Sequence, residues 1–409
     1  MTNKLSISLA SCLLVFGFTV SCQSSNNEVA ETKKPQTKQD SAAQVTLLLS
    51  QAQFTRDKDN RPRPGAAKLR VVELNDTNLS ERILEDEESR VFHKALCTQD
   101  QSLWTIGATG AHLKEWDIAS LSPRATHYSG TFGGKWDRLR DIEQIRGADG
   151  SSKWAVATHD QGHVLVLDQR GGNAITVHKE PTTFVHEIEV GDFNGDGLDD
   201  FATTPSKPNK SGKSQPGRAD AFIQSKDGTF SRMVALEATN RHAKEILATD
   251  LNGDDQAELY VVLEGRLGPK RALLEPVKIV QVQLRDGKWT ETGAVEIPKA
   301  KQARVLLRAN LDNDVSPELL VTTMKQGIWM IDSIAAPAKQ LVSGKLSSGF
   351  EHAAQVTDIN GDGIDEIFVS AEDQDQLSQW TFKGDRWTHR KLVNLGTSEI
   401  TWSIEVCSR

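Results

Sequence analysis

The stretch VGDFNGDGLDDFA, residues 190–202, returns three times in altered form: ATDLNGDDQAELY at 248–260, RANLDNDVSPELL at 308–320 and VTDINGDGIDEIF at 356–368. Each copy is an apolar run, an acidic loop of the pattern D-x-N-x-D-G-x-x-[DE], and a second apolar run. Oxygen side chains at alternate positions of a tight loop converge on one hard cation, and a central glycine supplies the positive φ that such a turn requires. The loops start at Asp192, Asp250, Asn310 and Asp358, 48 to 60 residues apart, a period that points to an array of small β-units. A helix–loop–helix cation site does not fit. The flanks are short runs of Val, Ile, Leu and Phe, and the closing acid stands at position nine rather than twelve. Each copy reads as a hairpin with a cation in its turn.

Weaker copies continue the rhythm. Residues 139–158 keep strand, loop and strand, with Ile145 and Lys153 in place of the first and last ligands, and residues 91–108 carry no acidic loop. Two more short strands follow each copy, as HVLVLDQ (163–169) with AITVHKE (174–180). Four strands per unit with turns between them is the pattern of a propeller blade. Six complete units start near residues 92, 139, 185, 244, 303 and 352. A seventh begins at Trp402–Cys407, which matches 186–191 but stops after one strand; its missing strands read at 45–53, 68–74 and 82–86. Pairing the last strand with the first three removes the free sheet edges. The expected fold is all-β, a seven-bladed propeller of four-stranded blades over 44–409.

The acidic hairpins resemble the FG-GAP or VCBS-type repeats of the integrin α-subunit propeller and its bacterial relatives, strongly in four blades and weakly in three. The resemblance implies Ca2+ in the loop between first and second strands, held by positions one, three, five and nine and the carbonyl of position seven. On this chain these are Asp192, Asn194, Asp196, Asp200 and the Leu198 carbonyl, and Asp358, Asn360, Asp362, Glu366 and the Ile364 carbonyl. The third loop supplies Asp250, Asn252, Asp254 and Glu258, with Asp255 where glycine is wanted. The fourth has a neutral first ligand, Asn310, and Val315 in place of glycine; with Asp312, Asp314 and Glu318 it is expected to bind weakly or not at all. The alternative is a set of acidic turns with no ion, but carboxylates crowded into nine residues repel one another, so an empty folded loop is costly. The expected role of the ion is structural rather than catalytic.

Composition marks a soluble body: 25% charged residues, net charge −8 and a mean hydropathy of −0.44. The only long apolar run, Leu5 to Val20, is too short for a spanning helix and has the shape of an export signal. Its end, TVSC at 19–22, resembles the lipobox of bacterial lipoproteins, with Thr19 where leucine is usual. The expectation is a signal at 1–21, acylation of Cys22 and a solvated tether over 22–43, in which Val29 is the single large apolar residue. Gln23 favours the outer membrane if sorting follows the enteric rule. An ordinary secretory signal with an incidental cysteine is the alternative. Cys12 leaves with the signal, so Cys97 and Cys407 remain in an oxidising compartment, where a pair is expected to bridge; two buried free thiols are the alternative.

The far face of such a propeller holds the start of each innermost strand. Aligning the blades six residues before the first metal position selects His186, Lys244, Arg304, His352 and Trp402, with His93 and Arg140 within a residue of the same column. A ring of these around a channel mouth is cationic and able to hydrogen-bond; the plain alternative is solvated channel residues. Basic loops open on that face as well: Arg56, Lys58, Arg61 and Arg63; Lys207, Lys210, Lys213 and Arg218; Arg266, Lys270 and Arg271. Opposed charge on two faces steers anionic ligands to one end. Nucleic acid is not expected, because the basic loops lack interleaved aromatics. No nucleophile elbow, P-loop, dinucleotide fingerprint, HExxH or CxxC is present. The leading expectation is a monomeric, membrane-anchored binding propeller for a protein or an anionic glycan. The second is a polysaccharide lyase, which needs a cation for the uronate carboxylate and a base for the C5 proton, drawn from His186, His352, Arg304, His127 and Tyr128. That reading requires Tyr128 and two histidines to share one pocket.

Overall fold

The computed structural model describes residues 44–407 apart from 76–77, 135–136, 160, 208–213, 313, 315, 345, 347–351 and 372–374. The expected signal, Cys22 and the tether lie outside these residues, as do Lys210, Lys213 and Val315 and the side chain of His352.

The second strand of each unit decides the architecture. Glu258–Leu263, Glu318–Thr323, Glu366–Ala371 and Ser102–Gly107 are buried along their whole length, so they are sandwiched on both faces. Their β-branched and aromatic content suits that position. Outermost strands such as Ala174–Lys179 are largely exposed. Among the described residues these form seven antiparallel four-stranded sheets. In chain order, blades 1 to 6 span 92–130, 139–179, 184–238, 243–297, 303–342 and 352–394. The first strands of successive blades touch one another in a closed circuit, with Glu399–Cys407 between those of blades 6 and 1. The helix among the described residues is one short 3-10 turn, Pro269–Arg271, at the tip of a two-stranded ribbon (Arg266–Leu267 with Leu273–Glu275) between the second and third strands of blade 4.

Blade 7 closes the ring as the sequence pattern requires. Its innermost strand Glu399–Cys407 pairs antiparallel with Val45–Arg56, which pairs in turn with Pro62–Leu74 and then Leu79–Asp86. The hairpin runs further than its apolar residues indicate, to the pairs Thr55–Arg63 and Arg56–Pro62.

The hydrophobic cores lie between blades. At the 7/1 junction Leu48, Leu69 and Val71 meet Phe92, Leu103 and Trp116; at 1/2 Trp104 and Leu113 meet Ile142 and Trp154; at 4/5 Val262 and Ile279 meet Leu306 and Val321. Each blade is therefore half of two cores.

The disulfide joins Cys407, at the end of the chain's last described strand, to Cys97, at the end of the first strand of blade 1, with their Cα atoms 5.3 Å apart. It links residues 310 apart, and in the chain-entropy model a loop of that size stabilises by up to about 5 kcal/mol through the unfolded state. Reduction, or Cys407→Ser, is expected to lower the melting temperature without changing far-UV circular dichroism at 25 °C. Equal melting curves with and without reductant would remove the bridge from the account of closure.

Candidate functional site

The four acidic loops each join the first and second strands of a blade, in blades 3 to 6; the bonds of positions five and nine recur in all four, and those of position one in blades 3, 4 and 6. The carboxylate at position one folds the loop around itself. Asp192 accepts from the amides of Gly195 and Gly197 at 2.7 Å, Asp250 from Gly253 at 2.7 Å and Asp255 at 2.9 Å, and Asp358 from Gly361 at 2.7 Å and Gly363 at 2.9 Å. Position five accepts the amide two residues on: Asp196 from Leu198, Asp254 from Gln256, Asp314 from Ser316 and Asp362 from Ile364. The acid at position nine accepts the amide of position two: Asp200 from Phe193, Glu258 from Leu251, Glu318 from Leu311 and Glu366 from Ile359. Asn194, Asp312 and Asn360 accept from position five.

Positions four and six both take positive φ, 72° and 81° at Gly195 and Gly197, 74° and 86° at Gly361 and Gly363. Asp255 adopts the same conformation at φ 64° without being glycine, at a steric cost.

In the loops of blades 4 and 5 the carboxylate oxygens also converge. Asp250, Asp254 and Glu258 bring one oxygen each within 4.8 Å of the others, and Asp312, Asp314 and Glu318 do the same. The position-nine acids are buried, and burial, reinforced by the loop's other aspartates, pushes Asp200 and Glu318 up to about 7 and raises Glu258 and Glu366. A set of hard oxygens with mutual repulsion fits a hard divalent cation such as calcium, and offers no nitrogen or sulfur to a softer one.

Position eight, which the sequence pattern left without a role, ties blades together. The Ala257 amide donates to the Asp192 carbonyl at 2.8 Å, joining the loops of blades 4 and 3. The Asp365 amide donates to the Asn310 carbonyl, and the Asp365 carboxylate accepts the Asn310 amide, each at 2.8 Å, joining blades 6 and 5. Asp199 accepts the amide of Arg146 at 2.7 Å, joining blades 3 and 2. Pro317 holds this position in blade 5 and has no amide hydrogen to give. The doubled acids Asp199–Asp200 and Asp365–Glu366 were the available signal.

On the opposite face the aligned column sits on a β-bulge. Pairing skips His93, Arg140, Lys244, Arg304 and Trp402, and it shifts across His186 and Glu187, while blade 6 pairs regularly from His352. A bulge re-aims its residue, and His93, Arg140, Arg304 and Trp402 line one central cavity of about 240 Å3. This is not an open cationic ring. Arg140 pairs with Glu187 and stacks 5.9 Å from the Trp402 ring, and Arg304 pairs with Glu264 at 2.8 Å. His93 contacts the Leu139 carbonyl through Nδ1, and burial holds His93 and His186 well below the usual histidine range, hence neutral. His186 packs between His159 and His242, ring centroids 5.1 and 5.2 Å apart. Deeper in, Asp141, Glu143, Glu189 and Glu405 surround Lys94, which bonds Asp141 at 3.0 Å and also Glu143. Burial pushes Glu405 up to about 8, with Lys94 opposing and Glu143 and Asp141 adding to the rise.

The basic loops differ in how far they are neutralised. Arg63 pairs with Asp57, Lys207 and Arg218 with Glu180, and Arg266 with Glu275. Lys270 and Arg271 have no carboxylate partner among the described residues. Tyr128 and His127 lie on the outermost strand of blade 1, where His127 bonds Glu115 at 2.8 Å, whereas His186 lies on the innermost strand of blade 3. Among the described side chains Tyr128 and His186 lie on different strands of different blades, so these two do not form the lyase constellation.

Residues 192–261 match the family model of the FG-GAP-like repeat. Among solved structures, a protein from Lactobacillus plantarum is similar at a TM-score of 0.53 and 11% identity over 90% of this chain and 100% of that one. The Dos1 propeller is similar at 0.50 and 11%, over 84% of this chain and 80% of that one. At such identities the likeness is one of fold. No curated protein matches the sequence significantly. The class is therefore a seven-bladed β-propeller. Within it, residues 192–261 match an FG-GAP-like repeat.

Two outcomes follow. Asp255→Gly relieves a left-handed aspartate and is expected to stabilise the chelator-treated protein by up to about 1 kcal/mol in urea unfolding. Glu405 keeps, when folded, a proton that the unfolded chain releases above a pH of about 4.3. That stability is present in acid and lost as pH rises through about 8. Glu405→Gln should flatten the fall in melting temperature between pH 6 and pH 9; an unchanged slope would mean the carboxyl is already ionised in the fold.

Proposed function

We propose that the protein is a calcium-stabilised, lipid-anchored extracytoplasmic propeller that binds an anionic glycan or an acidic protein surface through the face opposite the acidic loops. The observation that carries this is the division of charge between the two ends of the ring. Loops between first and second strands hold the clustered carboxylates. The loops between second and third strands, and the links between blades, open at the other end, because successive antiparallel strands alternate in direction. Lys270 and Arg271 stand at that end with their charge unopposed. Such a division steers anions to one end even when the whole molecule is acidic, as its net charge of −8 makes it.

In this reading Asp192, Asn194, Asp196 and Asp200, Asp250, Asn252, Asp254 and Glu258, and Asp358, Asn360, Asp362 and Glu366 hold calcium, with Asn310, Asp312, Asp314 and Glu318 as a further site. The ion would discharge the repulsion between each buried position-nine acid and the other carboxylates of its own loop, and stiffen the loops that carry the inter-blade bonds. The anchor rests on the run Leu5–Val20 and Cys22, and it would hold the ring off a membrane through the tether.

Chelation is expected to lower the melting temperature by several degrees, since an ion bound to the native state stabilises it by mass action. Asp196→Ala and Asp362→Ala should each remove part of the calcium-dependent increment. A melting curve indifferent to excess chelator would sink the calcium assignment. A glycan array probed with the calcium-loaded protein tests the ligand class, and retention of neutral glycans alone would contradict it.

A further inference from the structure

We infer that the cleft formed by the blade 4 ribbon, the link from blade 4 to blade 5 and the second hairpin turn of blade 5 is the anion subsite, and that it takes an oligosaccharide segment bearing carboxylate or sulfate groups. This rests on the reading of the far face given above and locates it.

Three loops that end on that face meet here around a cavity of about 300 Å3, lined by Lys270, Arg271, Lys299, Lys301 and Lys325 with Gln302 between them. Five cations line it and no carboxylate does. Elsewhere Arg63, Lys207, Arg218 and Arg266 each have a carboxylate beside them. The cations of the cleft are exposed, and none of them has a carboxylate partner among the described residues. The volume is at the small end of the range for ligand clefts, room for a short saccharide segment rather than a single ion.

The frame under these side chains is held by backbone. The Gly265 amide donates to the Lys301 carbonyl at 2.9 Å, Val277 to Ala300 at 2.8 Å and Met324 to Gln302 at 3.2 Å, so the three loops form one unit. A side chain at position 265 would meet the Lys301 Cα at 3.1 Å, which is why that position is glycine. Lys301 Nζ also reaches the Arg271 carbonyl at 2.9 Å, setting the turn that carries Lys270 and Arg271.

The backbone conformation is the second, independent sign. Lys270, Arg271 and Lys299 have φ of 54°, 61° and 64°. Long basic side chains rarely occupy this left-handed region, where glycine or asparagine sits without penalty. Of the twelve described non-glycine residues with positive φ, three are cations of this one cleft, where the charge is kept despite the strain. No aromatic side chain lines the cleft, which disfavours stacked bases and favours a sugar polyanion held by charge and hydrogen bonds.

The test titrates the full chain by calorimetry with a heparin-derived tetrasaccharide, an oligo-uronate of the same length and a neutral dextran oligomer. Both anionic probes should bind more tightly as salt is lowered, and dextran should not bind. The triple change Lys270→Glu, Lys299→Glu, Lys325→Glu should weaken the tetrasaccharide at least tenfold. Arg56→Glu with Lys58→Glu, on the same face, should stay within twofold. Lys299→Gly separates binding from folding: it relieves a left-handed lysine, so the melting temperature should rise while affinity falls about threefold. If the parent binds the anionic probes and neither the triple variant nor Lys299→Gly loses affinity, the subsite is wrong and the far-face reading survives. If the parent binds neither anionic probe, both fail. Binding to phosphatidylglycerol vesicles without binding to either oligosaccharide would likewise overturn the glycan assignment.

Discussion

Everything in this ring depends on one pairing, the strand Glu399–Cys407 laid antiparallel against Val45–Arg56. A blade buries one face on the blade before it and the other on the blade after it, so an open arc would leave two apolar faces in water. The closing strand contributes Ile404 to the core shared with blade 6 and Cys407 to the core shared with blade 1. It also brings Glu399 to Lys68 and Arg70, all largely buried, so the two ends of the chain are joined by charge as well as by the ladder. A pair of this kind is costly to break, since removing one partner strands the other in a low dielectric. The disulfide adds a covalent tie at the same seam, between neighbouring first strands.

The acidic loops act on the same problem from outside. Seven blades related by rotation need the same spacing at every junction, and packing alone tolerates small slips. The position-eight contacts set that spacing through backbone bonds between loops on adjacent blades. They are available only while each loop holds its turn, and the turn is held by carboxylates that repel one another. Burial raises Asp200 and Glu318, and the other aspartates of their loops add to the rise. Where these contacts occur, at the 2/3, 3/4 and 5/6 junctions, the turn of a loop and the register between blades are thus one device; at the 4/5 junction Pro317 breaks the series. That is also the junction at which the blade 4 ribbon, Gly265 and Val277 bond across to the neighbouring link.

The fold was largely legible in the residues because its repeat carries chemistry as well as hydrophobicity. The loop pattern located four hairpins to the residue, and spacing from them placed the first strands of all seven blades. Closure followed from a strand without partners at one end and three strands without a leader at the other. What could not be read was local and geometric. A bulge has no compositional signature, so the column His93, Arg140, Lys244 and Arg304 aligned correctly while its neutralisation by Glu187 and Glu264 stayed hidden. Those glutamates lie at different offsets from their partners, one beside the column and one at the end of a second strand. The ribbon 266–275 was read as a basic loop, since two short strands and a three-residue turn leave too little periodicity to detect. Lys299, Lys301 and Lys325 stand 30 or more residues from Arg266 in sequence and converge with Lys270 and Arg271 only through the loops of two blades.

Why the centre is neutral and the rim is not follows from solvation. The channel is narrow and walled by first strands, so a charge there is desolvated and must be matched, as Lys94 is by Asp141 and Glu143, or lost, as on His93 and His186. At the rim, water screens each cation, and several of one sign can stand together at little cost. A polyanion that arrives there displaces water from a shallow cleft rather than entering a dry one, so the rim can gather charge for recognition without burdening the core that closes the ring. In a propeller whose axis is already filled by its own ion pairs, the loops at the edge are where recognition has room to form.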